Sequence, residues 1–151
     1  MRRVFIVVMS GFLLFPLAGS GTAFAADNQT PLAPISAEGV DLSQFVWTNR
    51  IIVVFADNPA DPAYIDQLQM LAKEPGDLAS RDVLVITDAD PAARTAVRQR
   101  LRPRGFSVVW IDKDGAVRLR KPSPWSVREL AHAIDKTPLR LQEIAEGKPA
   151  G

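Results

Sequence analysis

The sequence of 151 residues contains no cysteine and a single histidine, His132. Without cysteine the chain cannot form a disulfide, a thiolate nucleophile, a thiol–disulfide exchange centre or a thiolate metal site. A single histidine excludes a multi-histidine metal centre, and we expect His132 to have a structural role. Thiol oxidoreductase and peroxidase activities are therefore excluded, and the sequence assigns no catalytic residue, metal ligand or cofactor.

The chain also has no excess of charge of either sign. It has 18 basic and 17 acidic residues, and 47% of its residues are hydrophobic. This balance is that of an ordinary globular protein, and the length predicts one domain. A near-neutral chain has no global field that draws it to nucleic acid, so we expect no nucleic-acid partner.

The longest apolar run lies near the beginning of the chain. Two arginines follow Met1, residues 4–17 are almost all apolar, and Ala23 and Ala25 give the small-x-small pattern of a cleavage site. The run is shorter than the ~20 residues that a membrane-spanning helix needs. We predict a signal peptide over residues 1–25, cleaved near Ala25. The protein would then be periplasmic or secreted, with no membrane span after cleavage.

Strand and helix patterns alternate after an extended lead-in over residues 26–44. Short apolar runs rich in β-branched residues predict strands, and capping residues before prolines or helical stripes predict helix starts. The strand patterns lie at residues 50–56, 82–87, 106–111 and 117–120. The helix starts lie at Asp61-Pro62, at Asp90-Pro91 and at the capping box of Ser126 and Glu129.

This order predicts an α/β fold with a mixed four-stranded sheet flanked by three helices. A helix crossover makes the first two strands parallel, and the tight turn at Asp114-Gly115 makes the last two antiparallel. The domain is expected over residues 45–147, with a flexible tail over residues 148–151.

Several separated pieces of sequence between residues 42 and 146 carry a family resemblance. They are Trp47-Thr48-Asn49-Arg50, Arg81-Asp82, Lys113-Asp114-Gly115, Asp135-Lys136-Thr137-Pro138-Leu139-Arg140 and Gln142-Glu143. On these pieces the chain resembles the thioredoxin-like domain-of-unknown-function family 4174, which is related to the peroxiredoxins. The resemblance implies a thioredoxin-like three-layer fold and exported placement, and it implies no settled activity.

The resemblance also shows where a redox site would lie. In thioredoxins the working cysteines lie between the first strand and the first helix, and here that position is taken by residues 56–62, which contain no thiol. The proline that faces those cysteines in thioredoxins is replaced by Ser107. Both halves of a thioredoxin-type redox site are therefore missing.

Four carboxylates follow the first two predicted strands and could converge at one edge of the sheet. Asp61 and Asp90 each precede a proline at a helix start, which accounts for them as helix caps. Asp57 and Asp88 remain as ligand candidates, for a hard cation or for acid–base work, with an ordinary strand-end role as the alternative.

An arginine-rich stretch follows the second strand. Arg98, Arg100, Arg102 and Arg104 could hold an anionic ligand through bidentate hydrogen bonds, or they could form a solvated helix face. Two tryptophans outside the predicted elements, Trp47 and Trp125, are each either a lid on the core or a binding anchor.

Two classes of function follow from these observations. The first is an exported, non-redox thioredoxin-like domain that acts as a binding or protein-interaction module in the cell envelope, with an envelope protein or an anionic ligand as partner. The alternative is a non-redox enzyme, assisted or not by a cation, that uses the carboxylates at the ends of the first two strands. Binding is the expected class, and enzymatic activity stays open.

Overall fold

A five-stranded mixed sheet forms the centre of the computed structural model, which describes residues 33–149. The strands are β1 (Ile35–Ser36), β2 (Arg50–Phe55), β3 (Val83–Asp88), β4 (Ser107–Ile111) and β5 (Val117–Lys121). The helices are α1 (Pro62–Lys73), α2 (Pro75–Ala79), α3 (Ala96–Leu101), α4 (Val127–Asp135) and α5 (Pro138–Ala145), and short 3-10 helices lie at Leu42–Phe45 and Pro91–Ala93. The predicted signal peptide lies outside the described residues.

The strands are arranged in the order β1-β3-β2-β4-β5. β2 is parallel to β3 and antiparallel to β4, so Phe55 at the end of β2 pairs with both Asp88 and Ser107. The α/β class and the mixed sheet are confirmed. The strand number is corrected from four to five, because Ile35–Ser36 in the expected lead-in pairs with the end of β3. Two residues are too few to show the alternation that identifies a strand in a sequence.

Helix starts follow the capping signals at two of the three expected places. The Asp61 side chain accepts a hydrogen bond from the Ala63 backbone N–H at 2.8 Å, with Pro62 in the first turn. Ser126 and Glu129 form both arms of a capping box. These bonds satisfy backbone donors that have no partner inside the helix.

The third expected helix start, at Asp90-Pro91, is wrong, because no α-helix begins there. Asp90 caps a single 3-10 turn, which ends where Arg94 takes a left-handed conformation at φ 46°. A new cap, Thr95, then accepts from the Arg98 backbone N–H and begins α3. The helix number also rises above three, because Pro75 and Pro138 each begin a further helix.

Hydrophobic side chains cover both faces of the sheet, and β2 is buried along its whole length. Ile52 and Val54 face the cluster under α4, while Ile51 and Val53 face the cluster under α3. Continuous burial explains why β2 has an unbroken apolar run instead of an alternating one. No helix within residues 33–149 is long and apolar enough to cross a membrane.

The tryptophans divide between core and surface. Trp125 is buried and lies under Lys121, whose Nζ is 4.8 Å from the ring centroid. Trp47 is 69% exposed, and its backbone has φ 66°, a left-handed conformation that costs about 1–2 kcal/mol for a residue other than glycine. Of the two readings, lid and anchor, burial makes Trp125 a lid, while Trp47 covers little of the core.

Candidate functional site

A cavity of about 550 Å³ opens where β2 and β3 end. Because the two strands are parallel, their following loops meet at this edge of the sheet. The loop from β2 to α1 contributes Asp57 and Asn58, and the loop after β3 contributes Asp90. Glu38, which follows β1, closes the opposite side. We call this the strand-end cavity.

Asp57 and Asp88 line the strand-end cavity and both contact Arg98, so the structure brings three of the predicted site residues together. The Asp88 side chain is only 1% exposed, and its Oδ1 accepts from Arg98 Nη2 at 2.8 Å. Its Oδ2 accepts from the Thr95 hydroxyl at 2.6 Å. Asp57 is 62% exposed, and its Oδ1 lies 3.6 Å from Arg98 Nη1.

The contacts of Arg98 account for most of its hydrogen-bonding capacity. Besides Asp88, its guanidinium donates to the backbone carbonyl of Ala56 at 2.8 Å, and its plane lies over the Phe55 ring at 5.4 Å. Arg98 therefore joins the ends of β2 and β3 as a buried cross-link. Its position supports a structural role, since few of its donors remain for a ligand.

The other predicted arginines lie elsewhere. Arg100 is exposed on α3, outside both the strand-end cavity and the groove described next. Arg102 and Arg104 line a separate groove of about 250 Å³ together with Arg120 and Lys121 of β5. The arginine stretch is therefore not one site, because α3 ends at Leu101 and the chain turns at Arg102, where φ is 48°.

A buried ion-pair network occupies the opposite end of the sheet, and the sequence reasoning did not identify it. Charged residues from β2, from the hairpin and from α4 and α5 converge there. Its nine central members are Arg50, Arg81, Asp82, Asp112, Lys113, Asp135, Arg140, Glu143 and Lys148. Asp77, Asp114 and Arg118 extend it toward the surface.

Glu143 is the centre of this network. Its carboxylate lies 2.7 Å from Lys113 Nζ, 3.1 Å from Arg50 Nη1 and 3.3 Å from Arg140 Nη1. Arg50 also lies 3.0 Å from Asp112, and the side chains of both are fully buried. α5 thus contacts the sheet through charged side chains, while its Leu141 is 56% exposed.

The network shifts the ionisation of its carboxylates. Burial opposes ionisation of Glu143, but hydrogen bonds from Lys113 and Arg50 outweigh it and hold its pKa below the ordinary value. A hydrogen bond from Arg81 lowers the pKa of Asp135 in the same way. These carboxylates stay charged down to acidic pH, which is what buried pairing with cations requires.

One signal in the sequence could have located the network. The pieces that carried the family resemblance contain seven of its nine central members, although they are scattered from residue 50 to residue 143. Those pieces share no periodicity, since they lie at the ends of different elements. Only their convergence in the fold explains why they occur together.

No cluster of metal-ligating side chains is present in the described part of the chain. Within residues 33–149, no group of three or more histidine, aspartate or glutamate side chains could hold a metal ion. At the strand-end cavity, Asp88 is paired with Arg98, and Asp90 caps the turn that follows β3.

Solved structures of known proteins share this fold. A reduced 2-Cys peroxiredoxin from Plasmodium vivax superposes with a TM-score of 0.54 at 14% identity, over 71% of this chain and 85% of that one. Chloroplastic thioredoxin z gives a TM-score of 0.51 at 17% identity, over 76% of this chain and 96% of that one. The similarity establishes the thioredoxin-like fold alone.

Sequence comparison adds a relative and a family. Coiled-coil domain-containing protein 80 from Danio rerio is 29% identical over 134 residues, which cover 69% of this chain. The chain spans only 16% of that protein's length. Residues 41–143 match the family described as domain of unknown function DUF4174. The chain therefore belongs to this thioredoxin-like family, in a form that has no cysteine.

Proposed function

We propose that this chain is an exported, non-redox binding module of the cell envelope, which docks a basic segment of a partner protein in the strand-end cavity. The observation that carries the proposal is the cavity of about 550 Å³ at the carboxyl ends of β2 and β3. Its volume lies in the range of ordinary ligand pockets, and in open α/β sheets ligands bind at this edge.

The charges at the rim indicate the chemistry of the partner. Glu38, Asp57 and Asp90 line the cavity and are all exposed. Arg98 offsets this charge only in part, because its closer partner is the buried Asp88, at 2.8 Å, whereas Asp57 lies 3.6 Å away. A lysine or arginine side chain of a partner would enter a region of net negative charge, which favours both encounter and orientation.

Binding is favoured over catalysis by the state of the buried carboxylate. Both oxygens of Asp88 are engaged by Arg98 and Thr95, so that carboxylate cannot also accept a proton from a substrate without losing these bonds. Asp57 is exposed, and the charged group shown in contact with it is the Arg98 guanidinium, not a second carboxylate with which it could share a proton.

Export is part of the same proposal and rests on the sequence. Residues 1–25 have the charged start, apolar run and small-x-small end of a signal peptide. Fractionation of cells that express the full chain tests it. We expect the mature chain in the envelope or the medium with Ala26 as its first residue. A chain that keeps Met1 and remains in the cytoplasm would contradict export.

The binding surface is tested by site-specific photo-crosslinking in the envelope. Ala93 lines the cavity and is exposed, so a photoreactive residue there should capture the partner, whereas one at the exposed Leu141 on α5 should not. Introducing Asp57→Lys should weaken the Ala93 crosslink about tenfold or more, because it places like charges together.

A matched variant controls for net charge. Asp66→Lys makes the same charge change on an exposed face of α1, outside the cavity lining, and should leave the crosslink unchanged. Equal capture from Ala93 and Leu141, or equal loss with Asp57→Lys and Asp66→Lys, would refute the cavity as the docking surface.

A further inference from the structure

Four cationic side chains without acidic partners surround the groove beside the start of β4. Arg102 and Arg104 come from the loop after α3, and Arg120 and Lys121 come from β5. Within residues 33–149, no carboxylate lies within 4.0 Å of their charged nitrogens. We call this the basic groove, defined by these four residues with Phe106 and Ser107.

The groove also contains an unsatisfied polar atom. Ser107 Oγ is buried from solvent and has no hydrogen-bond partner in the described part of the chain. A buried hydroxyl without a partner costs free energy, and Ser107 is one of the residues that line the cationic groove, so a ligand atom that reached Oγ and accepted from it would remove this cost. An anion with several acceptor oxygens meets this need and pairs with the arginines as well.

The size of the groove limits the ligand. Its volume of about 250 Å³ is below the range of pockets that enclose a whole small molecule. It can hold one compact anionic group, with the rest of the ligand outside. Guanidinium groups match the oxygens of a phosphate in bidentate geometry, and Lys121 adds a point charge.

The fold fixes two of these cations in place. Arg120 Nη1 donates to the backbone carbonyl of Leu101 at 2.6 Å, which holds β5 against the end of α3, just before Arg102 and Arg104. Within residues 33–149, no hydrogen bond or ion pair involves its other nitrogens. Lys121 lies over the Trp125 ring, with its Nζ 4.8 Å from the centroid. These side chains are therefore already ordered in part before a ligand binds, which lowers the entropic cost of binding.

We propose that the basic groove binds a phosphate monoester, held by Arg102, Arg104 and Arg120 with a hydrogen bond from Ser107 Oγ. Lys121 extends to Trp125 on the other face of the sheet and contributes only its positive charge at the rim. The site is separate from the strand-end cavity, and it replaces the arginine cluster that the sequence suggested. Arg98 and Arg100 have no part in it, whereas Arg120, which was not among the predicted site residues, becomes a ligand.

Titration of the purified chain with inorganic phosphate at constant ionic strength tests the proposal. Amide resonances of residues 102–107 and 120–121 should shift with saturation. Arg104→Gln should weaken binding about tenfold or more, because it removes a charge-assisted bond, and Ser107→Ala should weaken it a few-fold. Shifts that rise linearly without saturation would overturn the proposal.

Arg100→Gln is the matched control, since it removes the same charge from the end of α3 outside the groove. It should leave phosphate affinity within about twofold, whereas a loss equal to that of Arg104→Gln would mean a diffuse charge effect and overturn the site. Vesicles with phosphatidic acid and soluble glycerol phosphate then distinguish a lipid source from a soluble one. Binding of either that Arg104→Gln abolishes supports the site, and binding of neither refutes it.

Discussion

Replacing Glu143 by glutamine tests how strongly the ion-pair network holds α5 against the sheet. The change keeps the size of the side chain but removes its charge, and it places an amide beside Lys113, Arg50 and Arg140. Removing one partner of a buried pair costs about 3–5 kcal/mol, because the remaining charge is left buried without compensation. We therefore expect Glu143→Gln to lower the free energy of unfolding, because the buried cations lose a charged partner.

The contacts of the remaining cations set the expected value. Lys113 keeps Asp82 at 2.6 Å, and Arg50 keeps Asp112 at 3.0 Å, so neither cation is left entirely unpaired. We therefore expect the lower end of the range, about 3 kcal/mol. For a domain of this size that loss corresponds to a decrease in Tm of about 12 °C or more.

Urea unfolding followed by circular dichroism measures the effect, with Glu146→Gln as control. Glu146 follows α5 on its exposed side and contacts only Gln142 among the side chains of the described residues, so its replacement should change stability by less than about 0.5 kcal/mol. A loss below about 1 kcal/mol for Glu143→Gln would refute the argument, since it would mean that the network contributes little to holding α5.

Three further predictions concern pH and two single residues. The folded-state pKa values of Glu143 and Asp135 are held below their unfolded values. Their contribution to the free energy of unfolding is therefore present above about pH 4 and is lost as pH falls through the folded pKa. The urea midpoint should decrease as the pH is lowered from neutral to acidic, and it should decrease less steeply in Glu143→Gln. Gln67→Leu should lower the free energy of unfolding by about 2–4 kcal/mol, measured in urea. The Gln67 amide donates to the Trp125 carbonyl at 2.9 Å and accepts from the Trp125 N–H at 2.6 Å, and both backbone groups would lose their partner. A decrease below about 1 kcal/mol would contradict this. Trp47→Gly should leave stability unchanged or raise it by up to about 1 kcal/mol, since it relieves the left-handed backbone while removing a mostly exposed ring; a decrease in Tm would show that the ring packs on the protein.

Local signals in the sequence were sufficient for the elements with strong patterns. The unbroken apolar run of β2 indicated a strand buried on both faces, and Asp61 and Ser126 marked two helix starts correctly. β1 could not be found in this way, because it is held by pairing with Ile86 and Thr87, which are far along the chain. Tertiary pairing, not local preference, makes those two residues a strand.

The positions of the candidate site residues were predictable from the sequence only in part, for similar reasons. The parallel arrangement of β2 and β3 was enough to place Asp57 and Asp88 near each other, but their partner Arg98 could be found only with the bend before α3 in place. The arginine spacing suggested one cluster, and the turn at Arg102 separates it into two environments. The buried network was missed because charged residues in a sequence suggest solvent exposure.

The order of the strands has a consequence for how the chain assembles during synthesis. β2 lies between β3 and β4, and Ile51 pairs with Ile111. The edge of β2 that pairs with β4 therefore stays without a partner until synthesis has passed residue 111. Such an apolar, β-branched segment without proline is prone to intermolecular association while it waits. Arg50 and Asp57 flank it with opposite charges, and in the nascent chain these act as gatekeepers against aggregation before they join the contacts of the folded state.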